Sequence, residues 1–334
     1  MTHVLVYAPF SVALMDGFRS VSTDLIIEQE EQPAKKWPEN RKTKAEIIYA
    51  ISAIPTLDQA PNLRWLQTHW AGVEHLRNEA IWDSDVVITT TSGLHATNIG
   101  QYVMAQILAW ANRVPRWLYY QNENNWPEDR WSLFLPDEIR GRTLGILGYG
   151  SIGREIARLA KAFGMKVLAS KRDAKRIDHQ GYTLPGTGDP DGTVLDRIYP
   201  GEATKMMVSE CDYVVVTLPE TPATKHSVDE SVFRAMKPNC FLINVGRGAV
   251  IQEDDLIMAL RKAWIAGAGL DVFEAEPLSA DSPLWKMENV LITPHISGFT
   301  PQYDVRAAAI FEENLRRYIA EEPLLNVVDR SLGY

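Results

Sequence analysis

Residues 143–172 constrain the fold of this chain more than any other stretch. A short apolar run at residues 144–147 is followed by Gly148-Tyr149-Gly150-Ser151-Ile152-Gly153 and then by apolar residues at helical spacing. A second apolar run lies at residues 167–169. In this order of strand, glycine turn, helix and strand, the G-x-G-x-x-G pattern indicates a dinucleotide-binding unit rather than only a tight turn between packed elements.

Each glycine of this motif has a physical role. The first permits the tight turn, the second lets the backbone approach a pyrophosphate, and the third lets helix and strand pack closely. The start of the helix adds unpaired backbone N–H groups that attract phosphate. We therefore predict that the diphosphate of a dinucleotide lies against Gly148, Gly150, Ser151, Ile152 and Gly153.

The end of the second strand indicates which dinucleotide binds. An NAD-binding unit usually carries Asp or Glu about 20 residues past the glycines, where it holds the ribose 2′-hydroxyl. This chain has Ser170-Lys171-Arg172 instead. Hydroxyl, ammonium and guanidinium groups bind a 2′-phosphate, which a carboxylate would repel. The sequence therefore predicts NADP(H) in preference to NAD(H), and the alternative interpretation is a solvated basic turn.

The composition is that of an ordinary globular protein, long enough for two domains. The chain has 334 residues, of which 46% are hydrophobic and 23% charged, and a net charge of −9. This acidic balance gives no reason to expect nucleic acid or an anionic membrane as a partner. Because no apolar stretch approaches the ~18 residues of a membrane span and no signal-peptide pattern is present, we expect a cytoplasmic protein. Its two cysteines, Cys211 and Cys240, are expected to be buried free thiols.

Residues 1–98 and 300–334 are predicted to form one small α/β domain. Strand-like runs that alternate with helical or Pro-containing segments lie at residues 4–7, 47–51, 65–68 and 86–90. A helix from Thr97 to Pro115 is expected to cross into the second domain. A last helix, opened by Thr300-Pro301, leaves the tail at residues 326–329 free to rejoin the first domain.

Residues 99–299 are predicted to form the dinucleotide-binding domain. Further strand-like runs lie at residues 213–218, 241–245, 265–270 and 290–292. With the first two runs they give six strands in βα alternation, which implies a doubly wound parallel sheet with its ligand crevice at the strand C-termini. Residues 173–206, rich in Pro and Gly, exceed an ordinary connection and are interpreted as loop, either a flap over the adenosine end or plain surface variation.

An aromatic segment near residues 110–137 is predicted to be a dimerisation arm. Its aromatic residues, which stand among Asn, Glu and Pro without helical period, are Trp117, Tyr119, Tyr120, Trp126, Trp131 and Phe134. Such a surface suggests burial against another protomer. The alternative is a loop packed on its own domain.

Three ionisable residues, Arg247, Glu276 and His295, follow predicted strand ends. Hydride transfer to a 2-oxo acid requires a cation for the carboxylate, a proton donor for the nascent alkoxide, and a group that keeps this donor charged. Arg, His and Glu supply these roles in that order. Singly, Arg247 could be a surface charge, Glu276 a solvated loop residue and His295 a satisfied buried histidine, but their conjunction favours catalysis.

These motifs resemble those of the D-isomer-specific 2-hydroxyacid dehydrogenase family along nearly the whole chain. The shared motifs, in the family's order and spacing, are the glycine motif, Leu218-Pro219-Glu220-Thr221-Pro222, Val245-Gly246-Arg247-Gly248, residues 271–277 and Pro294-His295. The resemblance implies a two-domain α/β fold, in which a doubly wound parallel Rossmann-type sheet is inserted into a smaller flavodoxin-like substrate domain. It also implies a homodimer.

The resemblance implies a role for each site residue. Arg247 would bind the substrate carboxylate and carbonyl, His295 would be the acid/base, and Glu276 would hold and polarise His295. Asp271 would contact the nicotinamide carboxamide. The backbone amides that would help to hold the carboxylate are those of Ala71, Gly72 and Val73. Further cofactor contacts are expected from Leu218, Pro219, Thr224, Val245, Gly246, Arg247, His295, Ser297 and Gly298.

We therefore expect an NADPH-dependent oxidoreductase that reduces a small 2-oxo acid, such as glyoxylate or hydroxypyruvate, to the D-2-hydroxy acid without a metal. Lys171 stands where NAD-using relatives carry Asp, although NAD(H) remains the alternative cofactor. One alternative function is a dehydrogenase for a larger D-2-hydroxy acid or for a formate- or phosphite-type substrate. Another is a non-catalytic dinucleotide sensor, similar to the transcriptional corepressors that share this fold.

Overall fold

A computed structural model describes residues 1–30, 36–179 and 181–334. The chain forms two compact units. Unit 1 consists of Met1–Leu94, Gln180–Leu184 and Thr300–Tyr334, and unit 2 consists of His95–His179 and Pro185–Phe299. The short segment at residues 181–184 thus belongs to unit 1, whereas the sequence prediction kept it within residues 99–299.

Helices are distributed over both units. In chain order, those of the described residues are α1 (Val12–Ser20), α2 (Ala96–Ala111), α3 (Val114–Asn122), α4 (Arg130–Leu133), α5 (Ser151–Ala162), α6 (Thr204–Val208), α7 (Glu230–Phe233), α8 (Glu253–Arg261) and α9 (Tyr303–Ile319). Throughout the described ranges, none of them is both long and apolar enough to cross a membrane.

Unit 1 is built on a parallel five-stranded sheet. Its strands are β1 (Thr2–Tyr7), β2 (Leu25–Gln29), β3 (Ile47–Ala50), β4 (Trp65–Thr68) and β5 (Val87–Thr89). Their order, β2-β1-β3-β4-β5, is the 2-1-3-4-5 order of flavodoxin-like sheets, which confirms the predicted class. The sequence prediction missed β2, an edge strand that ends in the polar pair Glu28 and Gln29 and so lacks a full apolar run.

Alternate residues of β1 lie on opposite faces of this sheet. Val4 and Val6 pack with Phe18 of α1 and Phe311 of α9, whereas Leu5 belongs to a second apolar cluster on the other face. Strand geometry causes this alternation, because successive side chains point to opposite sides. The sheet is therefore covered on both faces, as parallel sheets generally are.

The C-terminal tail joins unit 1, as the sequence predicted. The backbone N–H of Val328 donates to the carbonyl of Ile88 (2.9 Å). The side-chain amide of Asn326 donates to the carbonyls of Thr90 (3.1 Å) and Ser92 (2.9 Å). The tail thus covers the outer edge of the sheet at β5, so the two ends of the sequence share one unit.

Unit 2 contains a parallel seven-stranded sheet. Its strands are β6 (Thr143–Leu147), β7 (Lys166–Lys171), β8 (Arg197–Pro200), β9 (Tyr213–Val216), β10 (Phe241–Asn244), β11 (Gly267–Leu270) and β12 (Val290–Ile292). The order is β12-β11-β10-β9-β6-β7-β8. Counted within the unit, this is the Rossmann order 3-2-1-4-5-6 with one further strand, so the predicted doubly wound sheet is confirmed. The strand order reverses between β6 and β9, where such sheets bind their ligands.

The strand of this sheet that the sequence prediction missed, β8, lies inside the segment that was interpreted as loop. Residues 173–206 are therefore not all irregular, and that part of the prediction was wrong. β8 pairs with β7 at the edge of the sheet and contains Arg197 and Pro200. Charged residues and proline are typical of edge strands. Because they interrupt the apolar run by which strands were predicted, β8 was missed.

The helix predicted from Thr97 to Pro115 ends early, at Ala111, and lies within unit 2, where a separate helix follows it. α2 ends at Ala111 and α3 begins at Val114, because Arg113 adopts a left-handed backbone conformation (φ 57°) and Pro115 lies in the first turn of α3. The following aromatic segment, whose aromatic residues show no helical period in the sequence, contains α3 and α4.

Candidate active site

The predicted glycine turn lies at the C-terminal end of β6, in unit 2. Gly148 has a φ of 101°, which strongly favours glycine. A Cβ atom on Gly153 would lie 2.3 Å from the carbonyl oxygen of Gly148, so only glycine permits this close approach. A Cβ atom on Gly150 would meet no atom within 4 Å. The turn therefore combines close packing at two glycines with open space at the third.

The start of α5 presents backbone donors beside that open space. The first hydrogen bond of the helix runs from the N–H of Arg154 to the carbonyl of Gly150 (3.0 Å). The N–H groups of Ser151, Ile152 and Gly153 thus lie outside the helix's own hydrogen bonds. Because helix N-termini attract anions, the observed geometry fits a dinucleotide diphosphate.

The basic residues predicted to bind a 2′-phosphate lie at the end of β7. The N–H of Gly148 donates to the carbonyl of Ser170 (3.0 Å), which places this strand end next to the glycine turn. Ser170 is buried, Lys171 is half-buried and Arg172 is exposed. The ammonium of Lys171 donates to the carbonyl of Arg176, and burial lowers the pKa of Lys171. Lys171 and Arg172 therefore lie at the end of β7, next to the glycine turn.

Three strand ends meet around Leu218. A Cβ atom on Gly148 would lie 3.0 Å from the hydroxyl of Thr217 and 3.1 Å from the side chain of Leu218, and one on Gly246 would lie 2.6 Å from the carbonyl oxygen of Leu218. These residues follow β6, β9 and β10, which are neighbours in the sheet. The structure thus brings together the predicted cofactor residues Gly148, Leu218, Pro219, Val245 and Gly246. Thr224 belongs to the same group, because its hydroxyl donates to the carbonyl of Pro219 (2.6 Å).

Arg247 is held by its neighbours at the end of β10. The amide of Asn244 donates to the carbonyl of Arg247 (3.2 Å) and accepts a hydrogen bond from the N–H of Gly246 (3.1 Å). Asn244 is buried, whereas Arg247 is partly exposed, with its Nη1 donating to the carbonyl of Gly246 (2.9 Å). The backbone of Arg247 is therefore fixed while its side chain is partly exposed at the C-terminal end of β10.

Gly248 joins the Arg247 turn to the segment that carries Glu276. A Cβ atom on Gly248 would lie 1.8 Å from the carbonyl group of Phe273, so the two backbones are in direct contact. The N–H of Phe273 in turn donates to Oε1 of Glu276 (3.1 Å). Two of the three predicted catalytic residues are thus connected through one glycine.

His295 pairs with Glu276 as predicted. Its Nδ1 lies 2.8 Å from Oε2 of Glu276, and the two side chains are 51% and 37% exposed. Nδ1–H donates to the carboxylate in this arrangement, which leaves Nε2 on the opposite side of the ring for proton transfer. The geometry is that of an imidazole oriented by a carboxylate and open to a ligand.

Asp271 anchors the loop that carries this histidine. It is fully buried and accepts hydrogen bonds from the hydroxyl of Thr293 (2.6 Å) and from the N–H groups of Ile296 and Ser297 (both 2.9 Å). The hydroxyl of Tyr102, whose pKa burial raises, lies 2.6 Å from that of Thr293. Sequence reasoning missed this anchoring, because none of the partners shares a local motif with Asp271.

α2 fixes the other end of the same loop. Nδ1 of His95 lies 3.0 Å from the carbonyl oxygen of Gly298, and the amide of Asn98 donates to the carbonyl of Phe299. Ser297 and Gly298, predicted as cofactor contacts, are thus backbone-anchored residues directly after His295. The contact of His95 is with the backbone of this loop.

The residues predicted to hold the substrate carboxylate lie in unit 1. Ala71, Gly72 and Val73 follow β4, and Val73 is buried while the other two are half-buried. The turn starts at Trp70, whose N–H donates to the hydroxyl of Thr68 (3.1 Å). These three amides therefore belong to an ordered turn at the C-terminal edge of the sheet of unit 1.

The cysteines lie away from these loops, in the core of unit 2. Cys211 and Cys240 are both buried and unpaired, as predicted, and burial raises the pKa of Cys211 to about 12. Among the described residues, no group of three or more His, Cys, Asp or Glu side chains is arranged to hold a metal ion.

Comparison with known proteins places the chain among its relatives. Residues 104–297 match the family described as D-isomer specific 2-hydroxyacid dehydrogenase, NAD binding domain. The glyoxylate reductase of Aeropyrum pernix is 34% identical over 281 residues, which cover 83% of this chain and 79% of that protein.

Two solved structures resemble the whole chain. A D-isomer specific 2-hydroxyacid dehydrogenase family protein from Aeromonas salmonicida subsp. salmonicida is 32% identical, with a TM-score of 0.77 and coverage of 98% of this chain and 99% of that one. The NADPH-dependent glyoxylate/hydroxypyruvate reductase of Sinorhizobium meliloti, solved with NADP and sulfate, is 26% identical, with a TM-score of 0.77 and full coverage of both chains. The chain therefore belongs to the D-isomer-specific 2-hydroxyacid dehydrogenase family and is an oxidoreductase that uses a nicotinamide dinucleotide.

Proposed function

We propose that this protein uses NADPH to reduce a small 2-oxo acid, of the size of glyoxylate or hydroxypyruvate, to the D-2-hydroxy acid. The observation that carries the proposal is the continuous set of contacts from Gly248 through Phe273 and Glu276 to His295. It joins the loops that bear a guanidinium, a carboxylate and an imidazole. The names of the Aeropyrum and Sinorhizobium relatives support the choice of substrate class.

In the proposed reaction, the nicotinamide supplies a hydride to the carbonyl carbon of the substrate. Arg247 binds the substrate carboxylate and carbonyl through its planar, two-pronged guanidinium. His295 donates the proton on Nε2 to the carbonyl oxygen as this oxygen becomes an alkoxide, and Glu276 holds the imidazole through Nδ1. The amides of residues 71–73 help to hold the carboxylate. Unit 1 is thus proposed as the substrate domain and unit 2 as the dinucleotide domain.

The cofactor preference rests on the end of β7. Ser170, Lys171 and Arg172 are proposed to bind the 2′-phosphate, because a hydroxyl and two cations stand where a carboxylate would otherwise bind a 2′-hydroxyl. The NADP bound to the Sinorhizobium relative supports this preference. Asp271, Ser297 and Gly298 are proposed to line the nicotinamide end. NAD(H) is the second cofactor to test.

A homodimer in the cytoplasm is part of the proposal. The dimerisation arm exposes large apolar side chains, with Trp126, Trp131 and Leu135 exposed to 83%, 79% and 68%. Apolar patches of this kind mark interfaces when they are contiguous. Sedimentation of the purified chain at micromolar concentration tests this, and a monomer at all concentrations would contradict it.

The catalytic proposal is tested by a steady-state panel of 2-oxo acids with NADPH and NADH. We expect glyoxylate or hydroxypyruvate with NADPH to give the highest kcat/KM. His295→Ala should lower kcat by roughly 10²- to 10⁴-fold, the usual contribution of an acid/base, and affect NADPH binding far less. His226→Ala is the matched control, because His226 also pairs with a carboxylate, Glu274 (2.7 Å), and has no part in the proposed steps.

Each alternative predicts a different result. An unchanged rate in His295→Ala removes this residue from the mechanism. Preference for a bulkier 2-oxo acid, or oxidation of formate or phosphite, would support the larger-substrate or non-carbon alternatives. Tight NADPH binding without turnover of any 2-oxo acid would support a dinucleotide sensor.

A further inference from the structure

A buried polar cluster lies beneath the glycine turn and plays no part in the proposed reaction. It consists of Tyr149, within the glycine motif, Arg154, on the first turn of α5, and Asp189. Tyr149 is 2% exposed, Arg154 1% and Asp189 3%. The hydroxyl of Tyr149 donates to Oδ2 of Asp189, and the guanidinium of Arg154 lies over the Tyr149 ring, 4.5 Å from its centroid.

This cluster holds what we call the connecting segment, residues 173–179 and 185–196, which follows β7 in unit 2. The carboxylate of Asp189 accepts hydrogen bonds from the N–H groups of Thr193 (2.9 Å) and Val194 (3.1 Å). A carboxylate with several donors fixes the backbone that carries them, because a charged acceptor forms the stronger hydrogen bonds. The second half of the connecting segment is therefore folded around Asp189.

Arg154 ties both halves of the connecting segment to α5. Its Nη1 donates to the carbonyl of Asp189 and its Nη2 to the carbonyl of Ile177. A guanidinium can hold two carbonyls at once because its donors form a rigid fork. The next residue of the helix adds a third attachment, since the N–H of Gly188 donates to the carboxylate of Glu155 (2.6 Å).

The first half of the connecting segment also holds Lys171. The ammonium of Lys171 donates to the carbonyl of Arg176, directly before the Ile177 carbonyl that Arg154 holds. The carbonyls of two successive residues thus accept hydrogen bonds from two cations, the buried Arg154 and Lys171 of the proposed phosphate site. The position of the connecting segment therefore determines where the Lys171 ammonium lies.

We propose that Arg154 and Asp189 are positioning residues for the 2′-phosphate of NADP(H), which act by fixing the connecting segment and so pre-orienting Lys171. This rests on the proposed function, in which Lys171 and Arg172 bind that phosphate. A lysine side chain loses rotamer freedom when it binds a ligand, and one that is already held loses less. Affinity for NADP(H), and not for NAD(H), then depends on two buried residues that the cofactor does not touch.

The experiment measures equilibrium Kd values for NADPH and NADH with Arg154→Met and Asp189→Asn. In each variant we expect the Kd for NADPH to rise about tenfold, equal to about 1.4 kcal/mol, while that for NADH stays within about twofold. Arg261→Met is the control. It removes an exposed cation from the last turn of α8, which is not part of the connecting segment, and should change neither Kd.

A double variant separates positioning from general loss of structure. If Arg154 acts through Lys171, then adding Arg154→Met to Lys171→Met should raise the Kd for NADPH little further. Additive effects, or equal weakening of NADPH and NADH binding, would reduce Arg154 to a structural residue and overturn the inference. If Arg154→Met does not fold, Asp189→Asn decides by the same two Kd values.

The Kd values also distinguish failure of the proposed 2′-phosphate site from failure of the positioning role. If Lys171→Met alone leaves the Kd for NADPH unchanged, the 2′-phosphate assignment falls and the inference falls with it. If Lys171→Met weakens NADPH binding strongly and selectively, but Arg154→Met and Asp189→Asn do not, the assignment stands and only the positioning role is refuted.

Discussion

Gly248→Ala offers a test of the contact that joins two catalytic loops. The new Cβ atom would lie 1.8 Å from the carbonyl group of Phe273 and 2.5 Å from the N–H nitrogen of Glu274. Both are backbone atoms, so no side-chain rotation relieves the overlap. To reach an ordinary 3.4 Å contact, the Arg247 turn and the Phe273 segment must separate by about 1.6 Å.

This displacement acts directly on the proposed catalytic geometry. Phe273 orients Glu276 through its N–H (3.1 Å), so a shift of the Phe273 segment moves the carboxylate and its histidine relative to Arg247. A misplacement of about 1 Å costs on the order of 10²-fold in rate. We therefore expect kcat/KM for glyoxylate with NADPH to fall by about 10²-fold or more.

The assay compares kcat/KM with the Kd for NADPH and with the thermal midpoint. The proposed 2′-phosphate site lies after β7, away from β10, so the Kd should change much less than kcat/KM. Gly17→Ala is the control, because its Cβ atom on α1 would meet only the flexible end of Glu312 at 3.4 Å. A folded Gly248→Ala protein with normal kcat/KM would refute the reasoning.

Three further predictions address the cofactor site and stability. Gly150→Ala should leave the thermal midpoint unchanged, because its Cβ atom meets no atom within 4 Å, yet weaken both NADPH and NADH binding in a titration, because the pyrophosphate approaches there. Burial lowers the pKa of Lys171, so its ammonium deprotonates at lower pH than an ordinary lysine, and NADPH binding should weaken at alkaline pH while NADH binding does not. Asp229→Ala should lower the free energy of unfolding by about 1 kcal/mol in urea titrations, since Asp229 caps α7 by accepting from Val232 N–H (3.1 Å). Hydrogen bonds, first that from Ser231, lower the pKa of Asp229, so this stabilisation is present near neutral pH and is lost as pH falls through that lowered pKa.

The sequence predicts strands with an apolar run better than strands interrupted by polar residues or proline. The edge strand β12, an apolar run, was predicted with its observed bounds, Val290–Ile292. The edge strands β2 and β8 were missed, because β2 ends in Glu28 and Gln29 and β8 contains Arg197 and Pro200. Edge strands tolerate such residues, so the apolar pattern on which the prediction depends can be absent there.

Within the candidate site, the sequence predicts short continuous motifs better than contacts between distant residues. The glycine turn and the basic end of β7 are each a continuous stretch of sequence, and each residue type in them has a local physical reason. The contacts around Asp271 and Asp189 join residues far apart in the chain, such as Asp271 with Ser297 and Asp189 with Arg154. A single sequence contains no local pattern for such pairs, since only the folded backbone brings them together.

Two His–Glu pairs in unit 2 show that a pair distance alone does not identify a catalytic histidine. His226 and Glu274 lie 2.7 Å apart and His295 and Glu276 2.8 Å apart, and all four side chains are partly exposed. The backbone is fixed at both histidines, since the N–H of His226 donates to the carbonyl of Ala249 and that of His295 to the carbonyl of Asp271, both at 2.8 Å. The proposal for His295 therefore rests on its Pro294-His295 motif and on the three hydrogen bonds that attach its loop to the buried Asp271, because a proton donor must be held within a fraction of an ångström. Comparison of His295→Ala with His226→Ala tests this choice directly.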